Sequence, residues 1–381
     1  MKTLSSRVRS YHSTRIVWTT ALVALGTLMF LSAAFAQDWP TLPDYKPARQ
    51  VSGTLRSWGN PHMADLLNLW QQGFSKYHPE IRYEDTLKGT STAQWGLQCW
   101  VADIALMSRP MIPYESFGTY RRSYNFPVEI EVATGSYDVP GKSYAYTIFV
   151  HRDNPLTKLT IKQLDGIFSA ERVGGWQDGM NWVKEGVARG PEGNIRTWGQ
   201  LGLTGEWAGK TIIPYGQPSL VTGAYSYFQT RVSGGAGARN EKLREYADQK
   251  LLVADLSQDR YGIGYTGMCY KTPQVKAVAI ADKDGGPYVE PTKANIASRA
   301  YPLYRAPVIY FTIDTKTGDY ADPLVDVKVK EFLRYILSRQ GQQVVAREGG
   351  YLPLTPAVVR AQLEKLENPP TYHFYRKDRR D

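Results

Sequence analysis

Leu55-Arg-Ser-Trp-Gly-Asn-Pro-His-Met-Ala-Asp-Leu-Leu67 passes from a strand-like run through a small polar loop directly into a helix. Met63, Leu66, Leu67, Trp70 and Phe74 recur at helical spacing and define one buried face. The entrance to that helix is less ordinary. A short polar loop leaves the first backbone N–H groups of a helix without internal partners. Such an entrance is either a solvated turn or half of a binding site, and the stretch alone leaves both readings open.

Outward from this stretch, strand-like and helical segments alternate, which predicts an α/β protein with largely parallel sheets. Strands are expected at 54–58, 81–87, 103–107, 144–150, 262–266 and 275–281, and helices at 63–77, 93–101, 161–168 and 224–232. Val329, Phe332, Leu333, Ile336 and Leu337 mark an amphipathic helix near the end. The glycine-rich interval 172–191 reads as a surface excursion.

Two further loops repeat the opening pattern. Leu87-Lys-Gly-Thr-Ser-Thr-Ala93 and Tyr215-Gly-Gln-Pro-Ser-Leu-Val-Thr-Gly-Ala-Tyr225 each end a strand and begin a helix. Hydroxyl and amide side chains beside free N–H groups, at the positive end of a helix dipole, bind anions without a formal cation. Taken singly, each loop is an ordinary helix cap. In an open α/β sheet such loops cluster at the carboxyl ends of the strands, so three of them predict one shared site. Just past the buried strand at 103–107, Ser108 and Arg109 add a hydroxyl and either a bidentate fork for an oxyanion or one partner of a surface ion pair.

The bulk composition narrows the setting. Lys2, Arg7, Arg9 and Arg15 precede an apolar run, 16–36, that closes on Ala34-Phe35-Ala36. This pattern predicts a secretory signal peptide cleaved near Ala36, giving a periplasmic or secreted protein. The alternative is a retained membrane anchor. The formal charge is +10, with four basic residues in the leader. Only 376–381 forms a charge run, so neither composition nor motif predicts nucleic-acid binding. Cys99 and Cys269 lack a C-x-x-C spacing, which predicts no metal site, and their pairing is left open. No cofactor motif, nucleophile elbow or paired-carboxylate motif is present, so no catalytic residue and no enzyme activity is expected.

Three further segments complete an ordered set: Ala102-Asp-Ile-Ala-Leu-Met-Ser-Arg-Pro-Met111, Val150-His-Arg-Asp-Asn-Pro-Leu-Thr-Lys-Leu-Thr-Ile-Lys-Gln-Leu-Asp-Gly-Ile-Phe-Ser169 and Tyr261-Gly-Ile-Gly-Tyr265. Together with the three loops they resemble the periplasmic phosphate-binding proteins of ABC importers, within the type II periplasmic-binding-protein superfamily. The resemblance runs from about Gly53 to Leu354. It implies two lobes, each a mostly parallel sheet flanked by helices, joined by two crossover strands near 143–150 and 262–268. The expected organisation is a signal peptide at 1–36, an extension at 37–52, lobe I at 53–145 and 267–360, lobe II at 146–266, and a tail at 361–381.

The resemblance also implies a ligand held between the lobes. The expected contacts are Asn60, His62 and Met63 in the first loop, Thr90, Ser91 and Thr92 in the second, Ser108 and Arg109, then Gln217, Thr222, Gly223 and Ala224. Related sequences place Gly-Ser-Asp-Thr or Gly-Ser-Thr-Phe where this chain has Gly59-Asn60-Pro61-His62, and Arg…Ser-Gly-Thr where it has Gln217…Thr222-Gly223-Ala224. Pro61 has no N–H to donate, and His62 adds a switchable charge. Each charge-assisted bond deleted from a desolvated cleft costs ~1.5–3 kcal/mol. The expected function is an exported, monomeric solute-binding protein that captures a small inorganic oxyanion, phosphate first, for an ABC transporter membrane complex. The alternative is a degenerate clamp serving as an exported interaction or sensory protein.

Overall fold

The computed structural model describes residues 41–123, 125–177, 181–218, 223–235, 239–313 and 325–370. The expected leader, Thr222 and the end of the expected tail lie outside the described residues. Residues Pro43–Asp381 form one unit, built on two five-stranded sheets.

The first sheet opens with β1 (Gly53–Gly59), whose core-facing residues alternate with half-exposed ones. The chain continues through α1 (Ala64–Phe74), β2 (Ile81–Thr86), α2 (Thr90–Gln98), β3 (Ile104–Met107), α3 (Pro113–Ser123) and β4 (Val128–Glu131). Helix α1 lies where the apolar spacing places it. It buries Leu66, Leu67, Trp70 and Phe74, and each such side chain contributes ~1.5–3 kcal/mol of transfer free energy. Trp70 also donates its indole N–H to the Gly341 carbonyl at 2.9 Å.

The second sheet is assembled from β5 (Thr147–His151), β9 (Ile213–Gly216), β10 (Arg244–Glu245), β11 (Gly262–Thr266) and β12 (Val275–Ala277). Between these lie β6 (Lys158–Thr160), α4 (Ile161–Phe168), the hairpin β7 (Gly175–Gln177) and β8 (Asn181–Val183), α5 (Gly223–Ser233) and α6 (Gln249–Leu256). A short β13 (Ala279–Ala281) pairs with β6, and α7 (Lys293–Ala297) follows. The chain then returns to the first sheet as β14 (Val308–Phe311) and ends in α8 (Val327–Ile336), α9 (Arg339–Glu348) and α10 (Pro356–Glu367). The second core centres on Tyr265, whose ring stacks on Phe228 with centroids 3.7 Å apart.

The sheet orders are β2-β1-β3-β14-β4 and β10-β9-β11-β5-β12. Each is half parallel and half antiparallel, not mostly parallel. β1 runs parallel to β2 and β3, whereas β14 runs antiparallel to β3 and β4. Likewise β11 is parallel to β9 and antiparallel to β5. The antiparallel halves arise because the two connecting segments return along each other. Tyr146 N–H donates to the Leu303 carbonyl, Gly135 N–H to Arg305, and Val132 N–H to Pro307.

These bonds correct the expected second crossover. Residues 262–268 are not a crossover, because β11 is a central, fully buried strand of the second sheet. The return runs instead through 303–307, and lobe II keeps the chain beyond residue 266 because β12 pairs with the β5 edge. The expected extension is also partly built in: Tyr45 is buried and donates to Glu331. Helix α10 extends the ordered fold to Glu367, past the expected end at 360. Cys99 and Cys269 are both free thiols. No helix among the described residues is long and apolar enough to cross a membrane.

Candidate functional site

A cleft of about 690 Å³ opens between elements of the two sheets. From the first sheet it is lined by Asn60, Pro61 and His62 after β1, by Lys88–Ser91 at the start of α2, and by Arg109. From the second come Gln217, Gly223 and Ser226, and the connecting segments add Ser143, Tyr144 and Arg305.

The loop after β1 is the first surprise. Asn60 is almost fully buried, and its side-chain oxygen accepts the His62 N–H at 3.0 Å. Its amide nitrogen donates to the hydroxyls of Ser108 and, at 3.2 Å, of Ser143. Met63 N–H is taken by the Asn60 carbonyl, and Ala64 N–H by that of Pro61. Pro61 has no N–H at all. The loop thus has no spare amide at His62, Met63 or Ala64, and it acts as a brace for its neighbours. A glycine is required at its start: Gly59 has φ +134°, and a Cβ there would sit 2.2 Å from the Leu106 carbonyl oxygen.

Helix α2 supplies the amides that the first loop lacks. Gly89 precedes it with φ +137°, turning the chain so that Thr90 and Ser91 open the helix at the cleft wall. Their amides have no carbonyl a turn earlier within the helix. Opposite stands the start of α5: a Cβ built on Gly223 would lie 3.3 Å from the Cβ, Cγ2 and Oγ1 of Thr90. Gly223, the first described residue of α5, therefore packs against the Thr90 side chain at the cleft wall, and the free amides at the start of α2 give that wall positive potential.

The cations around the cleft are not equivalent. Arg109 is locked in a buried bidentate pair, Nη1 to Glu115 Oε2 at 2.7 Å and Nη2 to Oε1 at 2.8 Å. Its fork is spent on Glu115, which corrects the expectation of an oxyanion fork there. Lys142 reaches Asp65 at 2.8 Å and Glu348 at 2.6 Å. Lys88 is exposed at the rim. Arg305 differs from all three: it is only 5 % exposed, and among the described residues no carboxylate pairs with it.

Arg305 is held by its neighbours. Its Nε donates to the Ser108 carbonyl at 2.6 Å, and its backbone N–H donates to the Tyr227 hydroxyl at 2.9 Å. The guanidinium lies 5.8 Å from the ring centroids of both Tyr146 and Tyr227. The residue sits at φ +50°, a left-handed conformation that a non-glycine residue adopts at a cost of order 1–3 kcal/mol. No protein hydrogen bond to Nη1 or Nη2 is formed by the described residues. Its two outer nitrogens are thus left to the cleft, where their planar fork suits an anion.

Tyr144 forms part of the opposite wall. Its hydroxyl accepts from Gln217 Nε2 at 3.0 Å, and burial pushes its pKa up to about 12. It therefore keeps its proton at neutral pH as a further donor. His62 stands at the mouth, with Nδ1 2.6 Å from the Gly141 carbonyl.

The expected contacts divide accordingly. Asn60, His62, Thr90, Ser91, Arg109, Gln217 and Gly223 line the cleft. Met63 does not: it is fully buried in the core below the loop. Thr92 turns back to the Gly89 carbonyl through both N–H and hydroxyl. Ser108 is fully buried and serves Asn60 and Arg305 without facing the cleft. Ala224 lies in the first turn of α5. Arg305, Tyr144 and Ser143 escaped the sequence reading. The available signal for Arg305 was its position three residues before the apolar β14.

Residues 46–340 match the PBP superfamily domain. The phosphate-binding protein PstS of Pseudomonas aeruginosa is 34% identical over 336 residues, covering 88% of this chain and 93% of that protein. A PstS from Staphylococcus aureus is 30% identical over 325 residues, covering 83% of each. Among solved structures, an ABC-type phosphate transport receptor from Vibrio cholerae superposes with a TM-score of 0.50 at 19% identity, covering 78% of this chain and 99% of its own. A possible phosphate-binding protein from Planctomyces limnophilus gives 0.50 at 21%, with 84% and 99% covered.

Proposed function

Because this chain belongs to the PBP superfamily, as a PstS-like periplasmic binding protein, we propose that it is an exported solute-binding protein that captures a phosphate-class oxyanion. The observation that carries the reading is Arg305: a buried guanidinium with two free donors, lining the cleft where the helix starts at Thr90 and Gly223 converge. The guanidinium is fixed in place by the bonds that Arg305 makes to Ser108 and Tyr227, so binding needs little reorganisation. The anion would take the Nη groups of Arg305, the Thr90 and Ser91 amides and nearby hydroxyls. The protein would hold and release its ligand unchanged, as a monomer, handing it to an ABC transporter membrane complex. Cleavage of the leader near Ala36 would place it in the periplasm or outside the cell.

The names of the relatives support this ligand class, since the proteins from Pseudomonas and Staphylococcus are called phosphate-binding. The test is a thermal melt of the purified, anion-free protein against phosphate, arsenate and sulfate. Selective binding to the folded state raises the melting temperature with ligand concentration. A saturable rise with at least one of these anions is expected. No rise with any of them, at concentrations far above those that saturate such proteins, would refute the reading.

A further inference from the structure

We infer that Trp176 and Phe117, a ring pair outside the cleft, are positioning residues for anion binding: they clasp the two lobes together and so set the affinity from a distance. The inference rests on the oxyanion reading above and adds a determinant of its strength.

Trp176 belongs to the hairpin of β7 and β8, inside the glycine-rich interval 172–191. That hairpin is fixed to the second lobe. At its base the backbones of Arg172 and Arg189 exchange N–H to carbonyl bonds of 2.8 and 2.9 Å. The Arg172 guanidinium grips Asp165 of α4 with two bonds, of 2.7 and 2.8 Å. The Trp176 N–H donates at 2.8 Å to the carbonyl of Gly234, just past the end of α5. A Cβ on Gly175 would lie 2.5 Å from Val187 Cγ1 and 2.7 Å from the Gly234 carbonyl oxygen, so the hairpin lies flush against that helix end.

The Trp176 ring reaches away from this lobe. It meets Phe117 of α3 with centroids 6.4 Å apart and planes at 62°, an edge-to-face arrangement. Trp182 supports Trp176 from within the hairpin, edge-on at 5.2 Å. Phe117 is backed in the same way by buried Phe126 at 5.5 Å. One row of rings therefore runs from the second lobe into the first. Neither Phe117 nor Trp176 lines the cleft. Both are nevertheless tied to its walls: Phe117 stands one turn along α3 from Tyr114, and α5 begins at the cleft with Gly223 and ends at the hairpin.

The chain passes between the lobes only through 132–146 and 303–307. A motion that widens the cleft by drawing α3 away from the hairpin has to part the two rings. The pair thus favours the closed arrangement, in which both lobes can reach one anion. Apparent affinity scales with the fraction of the protein already competent to bind. An edge-to-face pair is strong enough to change that fraction about two- to ten-fold.

The experiment is calorimetric titration with phosphate of the parent chain, Trp176→Leu, Phe117→Leu and the double variant. Leucine keeps each site apolar, and urea melts alongside report that the variants fold. Each single variant is expected to bind phosphate about two- to ten-fold more weakly, and the double variant no more weakly than the weaker single one. That coupling between two lobes is a result that two separate local defects would not give, because independent losses multiply. An affinity within 1.5-fold of the parent in either single variant, or losses that multiply in the double variant, overturns the inference and leaves the oxyanion reading standing. A parent chain that binds none of phosphate, arsenate and sulfate sinks both.

Discussion

Replacing Arg305 by methionine separates ligand binding from folding. Methionine keeps most of the stem and removes the guanidinium. In the ligand-free protein two effects oppose each other. The charge-assisted bond from Nε to the Ser108 carbonyl, 2.6 Å long, is lost at ~1.5–3 kcal/mol. Against this, a buried cation without a carboxylate partner no longer has to be desolvated, a relief of several kcal/mol in the same range. The unliganded melting temperature should therefore move little. In the complex the two Nη donors contribute ~1.5–3 kcal/mol each as charge-assisted bonds, and a bidentate pair realises at least ~3 kcal/mol. The affinity for phosphate should fall roughly hundred-fold or more. Arg305→Lys keeps the charge but loses the planar fork, so it should lie between the two. Calorimetry on the three proteins, with urea melts alongside, reads both quantities. An affinity within three-fold of the parent in Arg305→Met would refute the assignment of Arg305 to the ligand.

Four further perturbations address the frame around the cleft. Glu115→Gln removes the charge that pairs with buried Arg109 and turns one of the two oxygens that accept from its Nη atoms into an amide donor. It should cost ~3–5 kcal/mol in urea melts, and a loss below about 1 kcal/mol would contradict the pairing. His78 has its pKa lowered by burial: Nδ1 faces the Val51 N–H, and Nε2 lies 2.7 Å from the Tyr45 hydroxyl, which donates to Glu331. The unfolded chain takes up a proton at pH values where folded His78 does not, so stability should fall as pH drops below about 6.5. His78→Gln should flatten that part of the pH dependence, and an unchanged slope would exclude His78 as its source. Cys99 is exposed, whereas burial pushes the Cys269 thiol up to about 11, so at pH 8 an alkylating reagent should modify Cys99 first. Equal labelling rates, or a disulfide-linked peptide in the mass spectrum, would contradict this. Gly59→Ala forces a Cβ against the Leu106 carbonyl at φ +134° and should cost ~3 kcal/mol or more, so a variant as stable as the parent would show that the turn is misdrawn.

Much of the frame was legible because it is local. The run from β1 into α1 declares itself through alternation followed by helical spacing, and β3 through its unbroken apolar run. Helix α4 lies at the residues read for it, fixed by a capping box between Thr160 and Gln163. The antiparallel halves of both sheets were not legible. β4 and β14 are four residues each, and their pairing joins Glu131 to Val308 across the whole second lobe. Nothing in the spacing of such short runs records so distant a partner.

In the site, the helix starts could be found from glycine and hydroxyl residues, but the allocation of charge could not. Arg109 and Arg305 are both arginines beside apolar strands. What separates them is Glu115, six residues after Arg109 and one turn into α3, whose carboxylate folds back onto the first and leaves the second bare. Asn60 lines the cleft, yet its second role was hidden for a related reason. Its side chain satisfies the loop's own amide, so a residue placed in the cleft wall also serves as a cap.

The central claim is that an oxyanion seats on Arg305 between the starts of α2 and α5. Crystals grown with arsenate test it directly, because the arsenic atom identifies itself by anomalous scattering. The account predicts one strong peak in the cleft, with anion oxygens at hydrogen-bond distance from Arg305 Nη1 and Nη2 and from the Thr90 and Ser91 amides. A peak elsewhere, with the Arg305 guanidinium still bare, would contradict it.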